Sequence, residues 1–248
     1  MTKYIFCDLE ATGNREKDRI IQLGLMVFEG DIDTSPIYMF NELNSTNADM
    51  MSEAMELHHI TPEMLAGKKP LKQTEGFIDL VRLNLPENIF IAHDAPSDLK
   101  MLKREGFTCS MKVIDTLKCT KHLFPDLQVY RLQFLRYELE LYKNEYTTDI
   151  SLQAHDAISD AWITKILLDK LNRETSRKFC LEIGSKTIEK LIELSSMPVL
   201  LKYFQFGKYK GEEITEVIHS DYRYIEWMRN TLKLDEDMKY TLNYYLGY

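Results

Sequence analysis

Short apolar runs and helix-period segments alternate along the first part of the chain. The apolar runs predict strands at residues 4–9, 20–28, 37–43 and 89–92 and near Val113. The helical periodicity predicts helices over residues 74–83, from Ser97 onwards, and from about Ala157 to Leu171. Strands that are followed by alternating helices and strands predict an α/β layered domain built on a mixed sheet.

The helical pattern fades at Asn172, and a polar stretch over residues 173–178 follows it. A loss of pattern combined with polar composition is typical of a domain boundary. We therefore predict three parts: a first domain over residues 1–173, a helical connector over 174–198, and a small accessory domain over 199–248.

The composition excludes several classes of protein. With a net charge of −8, the overall electrostatic field of the protein does not attract nucleic acid. A polyanionic substrate is still compatible with this charge, because a site that holds divalent cations needs excess carboxylates. The four cysteines have no zinc-ligand spacing. No apolar run reaches the roughly 18 residues of a membrane span. The acidic residues Asp8 and Glu10 stand where a secretory signal would need its apolar centre. We expect a cytoplasmic protein without membrane partners.

Four carboxylates fall on faces that turn inward. Asp8 and Glu10 are two residues apart at the end of the first predicted strand, so they point to the same side. Asp98 and Asp160 each lie on the apolar stripe of a predicted helix. An unpaired buried charge costs several kcal/mol, and bound divalent cations would remove that cost.

Oxygen ligands of this kind favour Mg²⁺ or Mn²⁺ over zinc. Two such ions can flank a phosphodiester, one activating water and the other stabilising the leaving oxygen. The water also needs a base, and His155, five residues before Asp160, lies where it can serve. These residue types therefore predict nuclease chemistry.

Three segments resemble the exonuclease motifs of the DEDDh family, which includes the proofreading subunit of bacterial DNA polymerase III, ribonuclease T and oligoribonuclease. They are Phe6-Cys7-Asp8-Leu9-Glu10-Ala11-Thr12-Gly13, Ile91-Ala92-His93-Asp94-Ala95-Pro96-Ser97-Asp98 and His155-Asp156-Ala157-Ile158-Ser159-Asp160-Ala161. The resemblance implies a ribonuclease-H-like fold, a mixed sheet flanked by helices. It also implies two Mg²⁺ or Mn²⁺ ions held by Asp8, Glu10, Asp98 and Asp160, with His155 as the base.

The same resemblance implies residues that contact the terminal nucleotide of the substrate. They are Leu9, Ala11, Thr12, Glu53 and His58. His59 competes with His58 for this role, but only His58 stands five residues after Glu53 as in the family. Asp94 and Ser97 depart from the family pattern, which usually has asparagine and phenylalanine there.

A second resemblance covers the C-terminal part. Residues 197–211 and 221–228 are similar to the small domain that follows the nuclease in enzymes of the exodeoxyribonuclease X type. Residues 199–211 contain three lysines, four aromatic residues and no acid, a mixture that suits nucleic acid. A domain of some 50 residues also needs aromatic residues for its own core, so both interpretations stay open.

The sequence thus predicts a metal-dependent 3′–5′ exonuclease that acts on single-stranded DNA or DNA 3′ ends and releases nucleoside 5′-monophosphates. Two alternatives remain at this point. One is a 3′–5′ exoribonuclease that trims RNA, because nothing in the sequence identifies contacts to the 2′-hydroxyl. The other is a proofreading or docking module bound to a polymerase or repair complex, with residues 174–248 as the tether.

Overall fold

The first part of the chain forms a five-stranded mixed sheet. The structure is a computed structural model that describes residues 1–32, 35–147 and 152–247. For residues 145–147 it describes the backbone only. The sheet order is β3-β2-β1-β4-β5. Its strands are β1 Lys3–Ala11, β2 Ile20–Glu29, β3 Tyr38–Leu43, β4 Ile89–Ala92 and β5 Lys112–Asp115. β1 pairs antiparallel with β2 and parallel with β4, which confirms the predicted mixed sheet.

Eleven α-helices are found among the described residues. They are α1 Ser52–His58, α2 Pro62–Leu65, α3 Glu75–Arg82, α4 Ala95–Arg104, α5 Thr116–Leu123, α6 Leu132–Glu138, α7 Ala157–Phe179, α8 Ser185–Ser196, α9 Ile214–Ser220, α10 Tyr222–Thr231 and α11 Glu236–Leu246. Short 3-10 helices cover Leu71–Gln73 and Leu141–Thr147. The chain divides into two compact units, residues 1–116 with 132–170 and residues 117–131 with 171–248.

Both faces of the sheet in the first unit are covered. On one face, alternate residues of β1 and β2 form a core with α3 and α4, including Ile5, Leu25, Phe77 and Leu102. The other face of β2 lies against the start of α7. A Cβ atom added at Gly24 would overlap the carbonyl carbon of Ala157, so only glycine allows this approach. Gly24 also pairs directly with Asp8 of β1.

We expect Gly24→Ala to destabilise the protein, because the added methyl group meets backbone atoms that cannot turn away. Overpacking of this kind costs about 1–3 kcal/mol or more. The melting temperature should fall. Nuclease activity should fall as well, because α7 carries Asp160. Gly67→Ala is the control: the space around Gly67 is open and its φ is +75°, so only backbone strain is added. Parent-like stability and activity in Gly24→Ala would contradict the close approach.

Two helices differ from the prediction at their ends. α4 begins at Ala95 rather than Ser97, because Pro96 lies in its first turn, where a missing N–H and a preset φ are favourable. α7 continues to Phe179 rather than ending near Leu171. The polar stretch stays helical since it consists mainly of helix-compatible residues and is stabilised by the ion pair between Glu174 and Arg177 at 2.8 Å.

The second unit has a core of its own. Its members include Val199, Phe204, Ile214, Ile225 and Met238, contributed by α9, α10, α11 and the segment before α9. α7 passes residue 173 without interruption, and the three-part division into residues 1–173, 174–198 and 199–248 stays a prediction. All four cysteines are free. No helix in the described part of the chain is both long and apolar enough to cross a membrane.

Candidate active site

Three elements bring the four predicted carboxylates to one end of the sheet. Asp8 and Glu10 lie near the end of β1, Asp98 lies in the first turn of α4 directly after β4, and Asp160 lies in the first turn of α7. β1 and β4 are parallel, so the loops that follow them meet at the same edge. The charges of Asp98, Glu10 and Asp160 all act on Asp8, which places the four groups in one electrostatic cluster.

Three ligand groups approach closely enough to share a cation. Oxygen atoms of Glu10 and Asp160 and a ring nitrogen of His155 all lie within 4.8 Å of one another. The Asp160 carboxylate accepts hydrogen bonds from the Gln133 amide at 2.5 Å and from the His155 backbone N–H at 3.2 Å. Gln133 of α6 therefore orients one predicted ligand, a role that the sequence analysis did not assign.

Burial and mutual repulsion strongly favour protonation in this cluster. Burial, followed by the charges of Asp160 and Asp156, raises the pKa of Glu10 to about 8. Burial raises the pKa of Asp160 to about 6, although its two hydrogen bonds oppose the shift. Burial and neighbouring carboxylates also hold the pKa values of Asp8 and Asp98 well above their usual range. A divalent cation would relieve all of these costs.

His155 occupies an uncommon backbone conformation beside the carboxylates. Its φ is +60°, in the left-handed region that few residues other than glycine adopt. Residues held in such conformations cluster at functional sites. Burial, followed by the charge of His59, lowers the pKa of His155, so its ring is neutral at pH 7. A neutral ring can accept a proton.

A polar network on β2 and β3 anchors the start of α7. The Gln22 amide donates to Asp156 at 2.9 Å and accepts from the Ala157 backbone N–H at 3.3 Å. The Asn41 amide donates to the same Asp156 oxygen at 3.0 Å. Gln22 pairs with Glu10 in the sheet, so the network lies on the same face as the carboxylates. The only sequence signal for it is a polar residue inside the apolar run of β2.

An open cavity of about 330 Å³ adjoins the carboxylates, and we call it the β1–α1 cavity. It is lined by Leu9, Glu10, Ala11, Gly13, Asn14, Met51, Glu53, Ala54, Leu57, His58 and His155. The cavity thus brings together four of the five residues that were predicted to contact the terminal nucleotide. Thr12 is the exception: its side chain is fully buried, and its hydroxyl accepts from the Arg19 backbone N–H at 3.1 Å.

His58 and His59 have different surroundings. The Nδ1 atom of buried His58 accepts from the Ile60 backbone N–H at 2.9 Å, so the neutral ring carries its proton on Nε2. His59 is exposed and ends α1 with a φ of +58°. The two residues that depart from the family pattern contact each other, since the Ser97 hydroxyl donates to Asp94 at 2.7 Å.

The lysines of the C-terminal segment are mostly engaged in ion pairs. Lys202 contacts Asp126 at 2.7 Å, and Lys208 contacts Asp221 at 3.1 Å. Both pairs are at the surface, where they contribute little to stability. Phe204 lies in the core of the second unit, which agrees with the interpretation that the aromatic residues of this segment form a core. Contact between this segment and nucleic acid stays a prediction.

Comparison with known proteins agrees with this arrangement. The sequence model of the family described as RNase_T, an exonuclease, matches residues 5–168, and that of the exodeoxyribonuclease X-like C-terminal region matches residues 204–233. Exodeoxyribonuclease 10 of Escherichia coli K12 is 24% identical over 217 residues, covering 87% of this chain and 88% of that protein. The 3′-5′ exonuclease DinG of Bacillus subtilis is 29% identical over 182 residues, covering 69% of this chain and 18% of DinG.

A solved structure of exonuclease X in complex with 5′ overhanging duplex DNA superposes with a TM-score of 0.57 at 21% identity. The match covers 79% of this chain and all of that one, and it confirms the predicted ribonuclease-H-like fold. The matched regions contain all three exonuclease motifs and, of the segments behind the C-terminal resemblance, residues 204–211 and 221–228. The chain therefore belongs to the exonuclease family, with an exodeoxyribonuclease X-like C-terminal region, and the predicted enzyme class of 3′–5′ exonuclease is confirmed.

Proposed function

We propose that this protein is a divalent-metal-dependent exonuclease that removes nucleoside 5′-monophosphates from the 3′ ends of DNA. The observation that carries the proposal is the convergence of Asp8, Glu10, Asp98 and Asp160 beside the β1–α1 cavity. A phosphodiester is an anion, and a cluster of four carboxylates repels it unless cations are present. The donor set therefore fits a metal site better than a structural cluster.

The chemistry of the donors suits Mg²⁺ or Mn²⁺, which prefer carboxylate oxygens. Asp8, Glu10, Asp98 and Asp160 would hold two ions, which supply Lewis-acid stabilisation of the charge that develops on the phosphate. Gln133 and the His155 backbone N–H hold Asp160 in position. The network of Gln22 and Asp156 orients the first turn of α7, so the ligands are set before substrate binds.

His155 acts as the general base in this proposal. Its neutral imidazole accepts a proton from the attacking water. Leu9 and Ala11 line the cavity beside it and suit contact with the base and sugar of the terminal nucleotide. Glu53 can accept a hydrogen bond from a 3′-hydroxyl, and His58 lines the same cavity.

DNA is the proposed substrate because an exodeoxyribonuclease matches this chain over 88% of its own length, and an exonuclease in complex with DNA matches it over its whole length. The test is digestion of matched DNA and RNA oligonucleotides labelled at the 5′ end. The expected result is a ladder of DNA products shortened from the 3′ end, with nucleoside 5′-monophosphates released. Faster digestion of RNA would make the protein an exoribonuclease. No digestion of either, with a stable complex on a polymerase or repair protein, would favour the docking module.

The raised pKa values make a thermodynamic prediction for the metal-free protein. Folded Glu10 and Asp160 bind protons more tightly than the unfolded chain does, so the free energy of unfolding decreases as pH rises from about 4 to about 8. Mg²⁺ binds the ionised form, so its stabilisation is larger near pH 8 than near pH 6. At about 100 times its Kd, a ligand contributes about 2.7 kcal/mol, or about 5–10 °C in Tm for a chain of this size.

Thermal unfolding with and without Mg²⁺ at the two pH values measures this effect. Glu10→Gln is the matched variant, because it removes the group with the pKa of about 8 and should weaken both the pH dependence and the metal response. An Mg²⁺-induced shift in Tm that is equal at both pH values would contradict the carboxylate cluster as the metal site.

A further inference from the structure

A second cavity in the first unit has no role in the proposed chemistry. It is open, has a volume of about 610 Å³, and we call it the basic cavity. Its lining is Lys17, Arg19, Ile20, Asn44, Ser45, Thr46, Asn47, Ala48, Pro70, Leu71, Lys72, Gln73 and Glu105. Charged, amide and hydroxyl side chains dominate this surface, whereas pockets for small organic molecules are mostly apolar.

The basic cavity is built by four segments that are distant in sequence. The Ser45 backbone N–H donates to Lys69 at 3.0 Å, and Arg104 donates to the Arg15 carbonyl at 2.7 Å. Arg19 contacts Glu105 at 3.8 Å. The four segments, residues 15–19, 44–49, 68–73 and 103–105, contain eight basic and four acidic residues, although the whole chain has a net charge of −8. Positive charge is therefore concentrated at this place.

Two of the lining cations are available to a ligand. Lys72 is exposed and forms no ion pair with any residue that the structure describes. Lys17 contacts Asp49 at 3.8 Å, and the two side chains are 62% and 91% exposed. An ion pair so exposed to water is worth little, so an anion can replace Asp49 at low cost.

One loop separates the basic cavity from the β1–α1 cavity. Gly13 and Asn14 line the β1–α1 cavity, whereas Lys17 and Arg19 line the basic cavity. The base of the loop is closed by a hydrogen bond of 2.9 Å from the Thr12 N–H to the Arg19 carbonyl. Only a short loop lies between the two cavities, so a strand of a few nucleotides is long enough to extend from one to the other.

We propose that the basic cavity binds the phosphate backbone of the nucleic acid whose 3′ end is in the β1–α1 cavity, an inference that rests on the proposed function. Lysines contact phosphate as point charges, and the neighbouring amides and hydroxyls suit contacts to phosphate and sugar oxygens. Such contacts carry no sequence information. They raise affinity for long substrates without taking part in hydrolysis.

The double variant Lys17→Gln with Lys72→Gln tests the proposal on an oligothymidylate of about 20 nucleotides. Removal of each phosphate-binding charge lowers the salt slope of single-strand binding by about 0.7, so the slope should fall by about 1.4. That change corresponds to an approximately tenfold higher KM near 0.15 M salt. kcat should stay the same, because an interaction that stabilises the ground state and the transition state equally does not alter the rate of the chemical step.

A small substrate distinguishes an effect on the basic cavity from an effect on the active site. The p-nitrophenyl ester of thymidine 5′-monophosphate reaches only the β1–α1 cavity, so the double variant should hydrolyse it at the parent rate. Lys3→Gln with Lys112→Gln is the matched control. It removes the same amount of positive charge from the opposite end of the strands, where β1 and β5 begin. The control should retain the parent's KM and salt slope.

Different failures have different meanings. A parent protein that cleaves neither substrate contradicts the proposed function, and anisotropy of labelled oligothymidylate in EDTA then still compares binding by parent and variant. An unchanged KM and salt slope in the double variant overturns the basic cavity alone. Equal loss of affinity for thymidine 5′-monophosphate and for the long oligonucleotide also overturns it, since the cavity would then be a mononucleotide site.

Discussion

Asp8→Asn, Glu10→Gln, Asp98→Asn and Asp160→Asn are each expected to lower kcat by a factor on the order of 10³ or more. Metal ions contribute several kcal/mol of transition-state stabilisation, and each 1.36 kcal/mol corresponds to a factor of ten in rate. The loss follows because each residue is a proposed ligand in one compact cluster. Steady-state digestion of a DNA oligonucleotide with excess Mg²⁺ measures it.

The same four variants should fold at least as well as the parent without metal. Each removes one of several crowded carboxylates whose pKa values are raised by burial and by their neighbours. Glu87→Gln is the control for loss of one surface carboxylate and should retain full activity. Variants that are inactive only because they unfold, as judged from metal-free thermal unfolding, would count against the metal assignment.

His155→Ala is expected to lower kcat by a factor of about 10² to 10⁴, the usual contribution of a general base. Mg²⁺ affinity should change little, because four carboxylates remain. With saturating Mg²⁺ the carboxylates stay ionised, so the acid limb of the parent's pH profile reports His155. Burial lowers the pKa of His155, which places this limb below the ordinary histidine value of about 6.5. The variant should lose the limb.

His59→Ala is the control for removal of a neighbouring imidazole. His59 is exposed, and it acts on His155 through its charge. Its removal should leave kcat within a few-fold of the parent. A parent-like rate in His155→Ala would exclude His155 as the base. A large parallel loss of Mg²⁺ affinity would instead make His155 a metal ligand, an arrangement that its distance from Glu10 and Asp160 permits.

Much of the candidate site could be predicted from local periodicity. Asp8 and Glu10 share one side of β1 because strand residues alternate, and Asp160 lies on the apolar stripe of α7 because helix residues recur every three to four positions. Asp160 is indeed only 6% exposed. The order of strands and helices also predicted the class of fold. These features depend on neighbours in the chain, which a single sequence displays directly.

Helix ends were predicted less well, because they depend on competing local terms. Pro96 suits the first turn of α4, so the helix begins before it, with Asp94 in a left-handed conformation at φ +73°. α7 extends to Phe179, beyond its predicted end near Leu171, because a polar stretch does not by itself end a helix. Arg, Glu and Lys are good helix formers, and Glu174 and Arg177 form an ion pair on one face.

The sequence by itself determined which residues form the candidate site and on which faces of β1 and α7 they lie. Only the tertiary structure decided what supports and surrounds them: the contact of Gly24 with Ala157, the bond from Gln133 to Asp160, and the basic cavity. Gly24 and Ala157 are far apart in the chain, and the basic cavity joins four separate segments. Such contacts arise from packing of distant elements, and no local period encodes them.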